Sequence, residues 1–386
     1  MRRVLKRKEL LSLLSLASLV LLLALGGFSV EDPEARVASP FAPPSWLAPE
    51  GAPPSVEVRS EGALSLDYPF DPPAELRIFV SLREPASRAF LDWRMPDGTL
   101  LLIPLGEGKS FSLDSRDPRF RALLGVSPFE NPAALLLSQR GRYEISVEGG
   151  ELESLRLTIP GGRGGVMGCD HLGRDLLSLW LVGGRASLLV GLLAALVATA
   201  LGLLVGTSCG MVGGIYDFLV MRAVDVLMSL PVLPLLFVAG WIFGRSLIGM
   251  TLVIGLLSWM SLSRVVRSRV LSIRSLPYVE VLRMGGISLP AALLRHVLPQ
   301  VMPLALVYLV LGLPGAVMAE ASLSFLGLGD PSVPSWGRMI GEARSFGALS
   351  AGAWWAFLFP GLGIAWLCSS ALLLGRALQD RYRAGI

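Results

Sequence analysis

The chain has 386 residues, 53% of them hydrophobic and only 17% charged, and its mean hydropathy is +0.61. A soluble chain carries about a quarter charged residues, so an ordinary cytosolic enzyme is excluded, and disorder is excluded by the same numbers. The net charge of +4, from 34 basic and 30 acidic residues, is too small an excess to indicate nucleic-acid binding. Three Cys (169, 209, 368) and two His (171, 296) fall at no metal-ligand spacing and form no disulfide framework; Cys209 and Cys368 sit in apolar runs and are expected to pack.

Crossing about 30 Å of hydrocarbon takes roughly 20 apolar helical residues. The first run that meets this is at about 10–29. It follows Arg2, Arg3, Lys6, Arg7 and Lys8, so the N-terminus is expected on the cytosolic side. Its apolar run exceeds a signal-peptide core, and Gly26-Gly27-Phe28-Ser29-Val30 offers no small-x-small cleavage site. An uncleaved anchor over residues 1–30 is expected.

Residues 31–54 are Pro-rich and read as an extended linker. A β-rich module is expected over 55–165. Short alternating stretches lie at 55–59, 75–82, 90–93, 99–104, 110–113, 142–147 and 152–159, with a hairpin signal at Pro96-Asp97-Gly98. Strands of this kind with turns between them predict a small β-sandwich, closed by a flexible joint at Gly161–Gly165. Gly106-Glu107-Gly108-Lys109-Ser110 resembles the tail of a phosphate-binding loop, but Ile103 stands where the pattern needs Gly.

Five further spans are expected within 168–386, at about 187–210, 218–241, 247–266, 299–320 and 353–375. Ser258, Ser261 and Ser263 dilute the third of these. Arg264, Arg267, Arg269, Arg274, Arg283 and Arg295 lie in the next loop, and Arg376, Arg381 and Arg383 in the tail. With six spans these regions share the side of the N-terminus. The reading is a multi-pass cell-membrane protein with both termini cytosolic and the insert extracytoplasmic.

The loop 269–299 holds Tyr278-Val279-Glu280-Val281-Leu282-Arg283-Met284-Gly285-Gly286 and ends at Val297-Leu298-Pro299. A short helix, a glycine turn and a second helix would project there, a knob suited to a groove on a partner; the residues alone equally allow a solvated loop. Ionisable residues near span ends are often functional. Arg222 and Asp225 are three apart and can pair on a helix. Glu320 is expected to reach the interface or cap a re-entrant turn, and Arg174 and Asp175 to anchor an outer amphipathic helix. For Arg222, Asp225 and Glu320 structural roles are favoured over substrate contact. No Ser/His/Asp or Cys/His set can be assembled, which argues against an intramembrane hydrolase.

The 278–299 loop resembles the "EAA" coupling loop of ABC importer permeases, with Glu280 and Gly286 at the family spacing and Val281 and Leu282 replacing the two alanines. Further blocks are similar to the dipeptide/oligopeptide/nickel transport family, in its second-permease branch. They are Leu172-Gly173-Arg174-Asp175, then Gly213–Asp217 with Arg222 and Asp225. Next come Glu320-Ala321-Ser322-Leu323-Ser324-Phe325 with Gly327 and Gly329, and Pro334-Ser335-Trp336-Gly337. A weaker match is Pro43-Pro44-Ser45-Trp46. The resemblance covers about 168–386 and leaves the β-rich insert without a counterpart. It implies an α-helical polytopic membrane protein of the type I ABC importer permease fold. It further implies a second permease subunit, cytosolic ATP-binding subunits and an extracytoplasmic solute-binding protein as partners within the lipid bilayer. ATP and Mg would be held by partner subunits, with no cofactor or metal on this chain. Tyr278, Glu280, Val281, Leu282, Gly285, Gly286, Leu298 and Pro299 would contact the ATP-binding subunit. The insert would dock a solute-binding protein or serve as a stabilising decoration. The alternative is a membrane-anchored receptor whose β-domain binds a ligand.

Overall fold

The computed structural model describes residues 2–384 except 29, 31, 50–52, 74, 128, 129, 244, 286 and 287. Two units separate by contact density: Met1–Glu31, Ser178–Ser345 and Phe357–Ile386 form one, and Asp32–Leu177 with Phe346–Ala356 the other. The chain opens in the first unit with helix α1 (Arg2–Phe28).

The second unit holds strands β1 (Val56–Ser60), β2 (Leu64–Tyr68), β3 (Arg77–Arg94), β4 (Leu100–Asp114), β5 (Gly141–Glu148) and β6 (Leu152–Ile159), with short helices α2 (Pro118–Leu123) and α3 (Pro132–Leu136) after β4. All pairs are antiparallel, in the order β1-β6-β3-β5-β2 with β4 on β3. Pro96-Asp97-Gly98 makes the expected turn: Gly98 takes φ +87°, and Met95 N donates to Thr99 O at 2.9 Å. The β3–β4 hairpin is long and irregular between Ser81 and Phe90. Its one half pairs with β6 through Arg77–Leu82, and the other with β5 through Phe90–Arg94. Inward residues of both halves, Ile78 and Val80 with Leu91 and Trp93, share one core with Tyr143 and Leu157. The indole N–H of Trp93 donates to Leu136 O at 2.8 Å, which fixes α3 on that core.

The expected seven-stranded sandwich is thus corrected to one six-stranded sheet folded over a single core. Stretches 75–82 and 90–93 are one strand, 99–104 and 110–113 another, and β2 is an addition. Gly106–Ser110 lies within β4, where the register shifts against Ala86–Ala89. It is a bulged strand, not a strand-to-helix turn.

The Pro-rich segment, expected to be extended, instead turns at 33–34, 40–41 and 45–47, and it is no free tether. Val37 N donates to Gly173 O at 2.9 Å, Ser39 N to Gly161 O at 2.9 Å, and Gly164 N to Pro43 O at 2.8 Å. Residues 36–45 and 161–174 therefore form a hydrogen-bonded neck at the base of the sheet.

The helical unit continues with α4 (Leu176–Val212), α5 (Gly214–Ser229), α6 (Val232–Phe243), α7 (Leu247–Ser258) and α8 (Met260–Arg274). Short helices α9 (Pro277–Met284) and α10 (Leu289–Ala292) follow, then a π turn at Leu293–Val297. Helices α11 (Leu298–Phe325), α12 (Trp336–Ser345) and α13 (Trp355–Ala384) complete the chain. Among the described residues four helices, α1, α4, α13 and the run Leu293–Phe325, are long and apolar enough to cross a membrane. Two bent pairs raise the number to six if each is one span. The pair within the expected 218–241 span breaks by 91°. Leu230 there takes ψ 138°, the extended backbone forced on the residue before Pro231. The pair within 247–266 bends by 42° next to Ser258, whose hydroxyl donates to Ile254 O at 2.6 Å and competes with the helix ladder.

Candidate coupling segment and helix-junction sites

After α8 the chain turns at Ser275 and enters α9 with Pro277 at its first position, where no N–H is needed. Val279 is buried in a cluster with Val266, Val270 and Ile273 of α8, Val297 of the π turn, Val301 of α11, and Met211 of α4. The opposite side is different: Val281 and Met284 are 66% and 83% exposed, beside exposed Tyr278 and Leu294. A small helix with one face packed and apolar side chains on the other is an unfilled contact surface. Tyr278 Oη accepts from Gln300 Nε2 at 2.6 Å, and the same amide donates to His296 O at 2.9 Å, so α9 is tied to the base of α11. Gly285 N donates to Val281 O at 2.9 Å and ends α9. Glu280 and Leu282 lie on α9, with side chains outside the described set, and Gly286 lies outside the described residues.

Leu298 and Pro299 stand in the first turn of α11, beyond the π turn, and Leu289-Pro290 open α10.

Helices α4 and α8 pack closely beside this segment. Gly202, Gly206 and Gly210 form a one-sided stripe, and a Cβ on each would lie under 3 Å from Leu262, Ser263 O or Val270 respectively. Small residues four apart allow this backbone approach. Two ion pairs flank it: the Arg267 guanidinium grips Asp217 through Nε and Nη2, and Arg264 pairs with Asp225. The anticipated Arg222–Asp225 pair is long, at 3.9 Å, with both side chains exposed. Asp225 has α8 as its main partner.

Glu320 is enclosed by its own chain. It is 3% exposed, and its carboxylate accepts from Ser187 of α4 at 3.1 Å and from Ser324 at 2.7 Å. Ser187 Oγ also accepts from Trp336 N at 3.3 Å, and the Trp336 indole N–H donates to Trp180 O at 3.0 Å. One carboxylate thus knots α4, α11 and α12. The glycines of the same motif permit the approach: a Cβ on Gly337 would lie 2.5 Å from Ala321 Cα, and one on Gly329 2.5 Å from Ser324 Oγ. Ser322 hydroxyl donates to Met318 O at 2.7 Å, Gly327 takes φ +81° at the end of α11, and the Arg344 guanidinium lies 4.9 Å over the Phe325 ring. Between α4, α8 and α11, a cavity of about 250 Å³ opens beside the α7–α8 bend, lined by Ala198, Thr199, Ser258, Ser261 and Tyr308. Its walls are mainly small and apolar with four hydroxyls among them, and no charge lines it among the described residues.

In the other unit, Arg174 anchors no outer helix. It is 4% exposed and pairs with Asp170 at 2.6 Å and with Glu34 at 3.3 Å. Asp170 Oδ1 also accepts from Leu172 N at 2.9 Å and Arg174 N at 2.8 Å, closing a tight loop. Gly173 takes φ +81° there, and a Cβ on it would lie 2.0 Å from Ala38 O. Asp175 follows, bridged in backbone register to Cys169. Burial pushes the Cys169 thiol up to about 12. All three cysteines are free. His171 stacks on Phe346 with centroids 3.8 Å apart, a packing role.

Four long apolar helices, two bent pairs of shorter ones and an amphipathic segment exposing apolar side chains are the features of a multi-pass membrane protein. Residues 198–384 match the family described as binding-protein-dependent transport system inner membrane component. A peptide permease of Brucella ovis is 38% identical over 216 residues, 56% of this chain and 71% of the relative. A peptide ABC transporter permease of Sinorhizobium fredii is 41% identical over 216 residues, 56% of this chain and 73% of the relative. The oligopeptide transport system permease OppC of Escherichia coli is 37% identical over 220 residues, 56% of this chain and 71% of the relative. The chain belongs to the binding-protein-dependent transport system inner membrane component family, and it is a permease subunit of a multi-pass membrane complex.

Proposed function

We propose that this permease carries peptides or similar small solutes, delivered by an extracytoplasmic solute-binding protein, through a pathway it forms with a second permease subunit. The peptide class rests on the names of its relatives. Both termini and the 278–299 segment lie in the cytosol, as the Arg-rich flanks favour, and the β-rich insert lies outside. The α9 segment docks in a groove of a partner ATP-binding subunit, which holds ATP and Mg and performs the hydrolysis. Closure of those partners pulls α9, and the shared packing of Val279 with α8, α4 and α11 passes the displacement to the long helices. The hydroxyl-lined cavity by the α7–α8 bend is part of the path.

The observation that carries this reading is the two-sidedness of α9: Val279 is buried while Val281 and Met284 are exposed. The test is uptake of a labelled tripeptide into proteoliposomes holding the whole complex, with ATP hydrolysis measured alongside. Glu280→Lys and Gly286→Val should leave the chain in the membrane and uncouple hydrolysis from uptake. Val281→Asp with Met284→Asp should release the ATP-binding subunit on purification. Normal uptake and intact assembly in all of them would remove the coupling role. A receptor reading explains the insert but leaves α9 and the family membership without a purpose.

A further inference from the structure

The outer face of the insert, over β2, β5, β3 and β4, holds a cavity of about 330 Å³ lined by Asp92. Strand alternation puts Leu91 and Trp93 in the core, so Asp92 and Arg94 face the other way. Asp92 is nevertheless only 8% exposed, and its Oδ1 meets no hydrogen-bond partner among the described residues. Its register partners on the flanking strands are Leu102 and Ser146, which bring no cation. A buried carboxylate oxygen without a donor is unfavourable, and such a group in a cavity suits a positive partner.

The rest of the cavity narrows what that partner is. Arg94, two residues further along the strand and so about 7 Å away, pairs with Glu144 at 3.5 Å. Arg142 Nε donates to Ser65 Oγ at 2.9 Å. A guanidinium has five N–H donors, so that bond leaves Arg142 its fork for a carboxylate. A bare metal ion would face two guanidiniums, and an inorganic anion would face Asp92. A ligand carrying both charges satisfies both ends. Leu100, 48% exposed, gives apolar surface for the atoms between them.

We propose that this cavity binds a small zwitterion with a free ammonium and a free carboxylate, an amino acid or short peptide, its ammonium on Asp92 and its carboxylate on Arg142. The site is confined to the insert, so it stands or falls separately from the coupling role of α9. Full-length protein in lipid nanodiscs is titrated by calorimetry with trialanine, N-acetyl-trialanine and trialanine amide. Trialanine should bind saturably, and each blocked peptide at least tenfold more weakly. Asp92→Asn should weaken trialanine binding at least tenfold with unchanged thermal unfolding. Arg142→Gln, at an exposed position, should make trialanine and its amide bind alike. No binding to wild type, equal binding of the acetylated peptide, or undiminished binding in Asp92→Asn would overturn the proposal. Should Asp92→Asn fail to fold, the Arg142→Gln comparison decides alone: retained preference for the free carboxylate overturns it.

Discussion

Gly206 is the tightest point of the α4–α8 contact, and a single methyl there tests whether that contact is backbone on backbone. A Cβ at this position would lie 2.5 Å from Ser263 O, 2.7 Å from Val266 Cβ and 2.8 Å from Val266 Cγ1. Non-bonded carbons settle at about 3.5–4.0 Å, so Gly206→Ala requires the helices to part by about 1 Å. Ser263 O is backbone and cannot swing aside. Overpacking costs roughly 1–3 kcal/mol, and the gain from replacing glycine in a helix returns about 1 kcal/mol. The net expectation is a loss of up to roughly 2 kcal/mol. Gly315 in α11 is the control, because a Cβ there meets nothing within 4 Å. Gly315→Ala should be neutral or up to about 1 kcal/mol more stable. The assay is thermal unfolding of the purified subunit in one detergent, followed by peptide uptake. A Gly206→Ala protein as stable as wild type, or two variants that shift alike, would refute the close-approach argument.

Arg174→Ala strands the buried Asp170 charge and should cost about 3–5 kcal/mol, read as faster proteolysis at the neck; wild-type resistance would show that the pair holds nothing. Glu320→Leu removes the acceptor of two serine hydroxyls and should cost roughly 1–3 kcal/mol, with Glu320→Gln milder; equal unfolding temperatures for wild type and both variants would dissolve the knot. Asp330 accepts from Ser332 and from Leu247 N, and these bonds hold its carboxyl below its ordinary value of 3.8. A depressed carboxylate stabilises the fold above that ordinary value and loses this as pH falls through the folded value. Acid titration of unfolding temperature should therefore show a decline beginning near pH 4 that is reduced in Asp330→Asn; identical profiles would refute it. Excision of 55–160 should leave membrane insertion intact, and loss of the protein from membranes would count against a separable insert.

Apolar length made the helical spans legible, and positional chemistry made the hairpin at Pro96-Asp97-Gly98 legible. Bends were less so, because a hydropathy window averages over them. The break at Leu230-Pro231 and the bend at Ser258 come from backbone effects of single residues that a twenty-residue mean dilutes. In the insert, Arg83–Arg88 interrupts the alternation, so one bulged strand reads as two. The motif residues were found by likeness, but their partners were not. Glu320 looked like an interface residue because it lies at the end of an apolar run. One of its two serines, Ser324, is a turn away on the same helix, but the other, Ser187, is 133 residues away in the chain. Arg174 looked like a surface anchor for the same reason, since Asp170 four residues away can cover it only if the loop closes. The stripe Gly202, Gly206 and Gly210 was readable at its four-residue spacing and was passed over.

The first and last strands of the insert are paired with each other, Val56 opposite Ile159, and Gly162 N donates to Pro53 O at 3.0 Å. The polypeptide therefore leaves the neck and returns to it one ladder step apart. For the host loop this whole domain is topologically equivalent to a tight turn: it adds mass without lengthening the gap that must be closed, so its closure entropy is near that of a short loop. Exchanging the domain at this junction would therefore leave the span of the host loop unchanged.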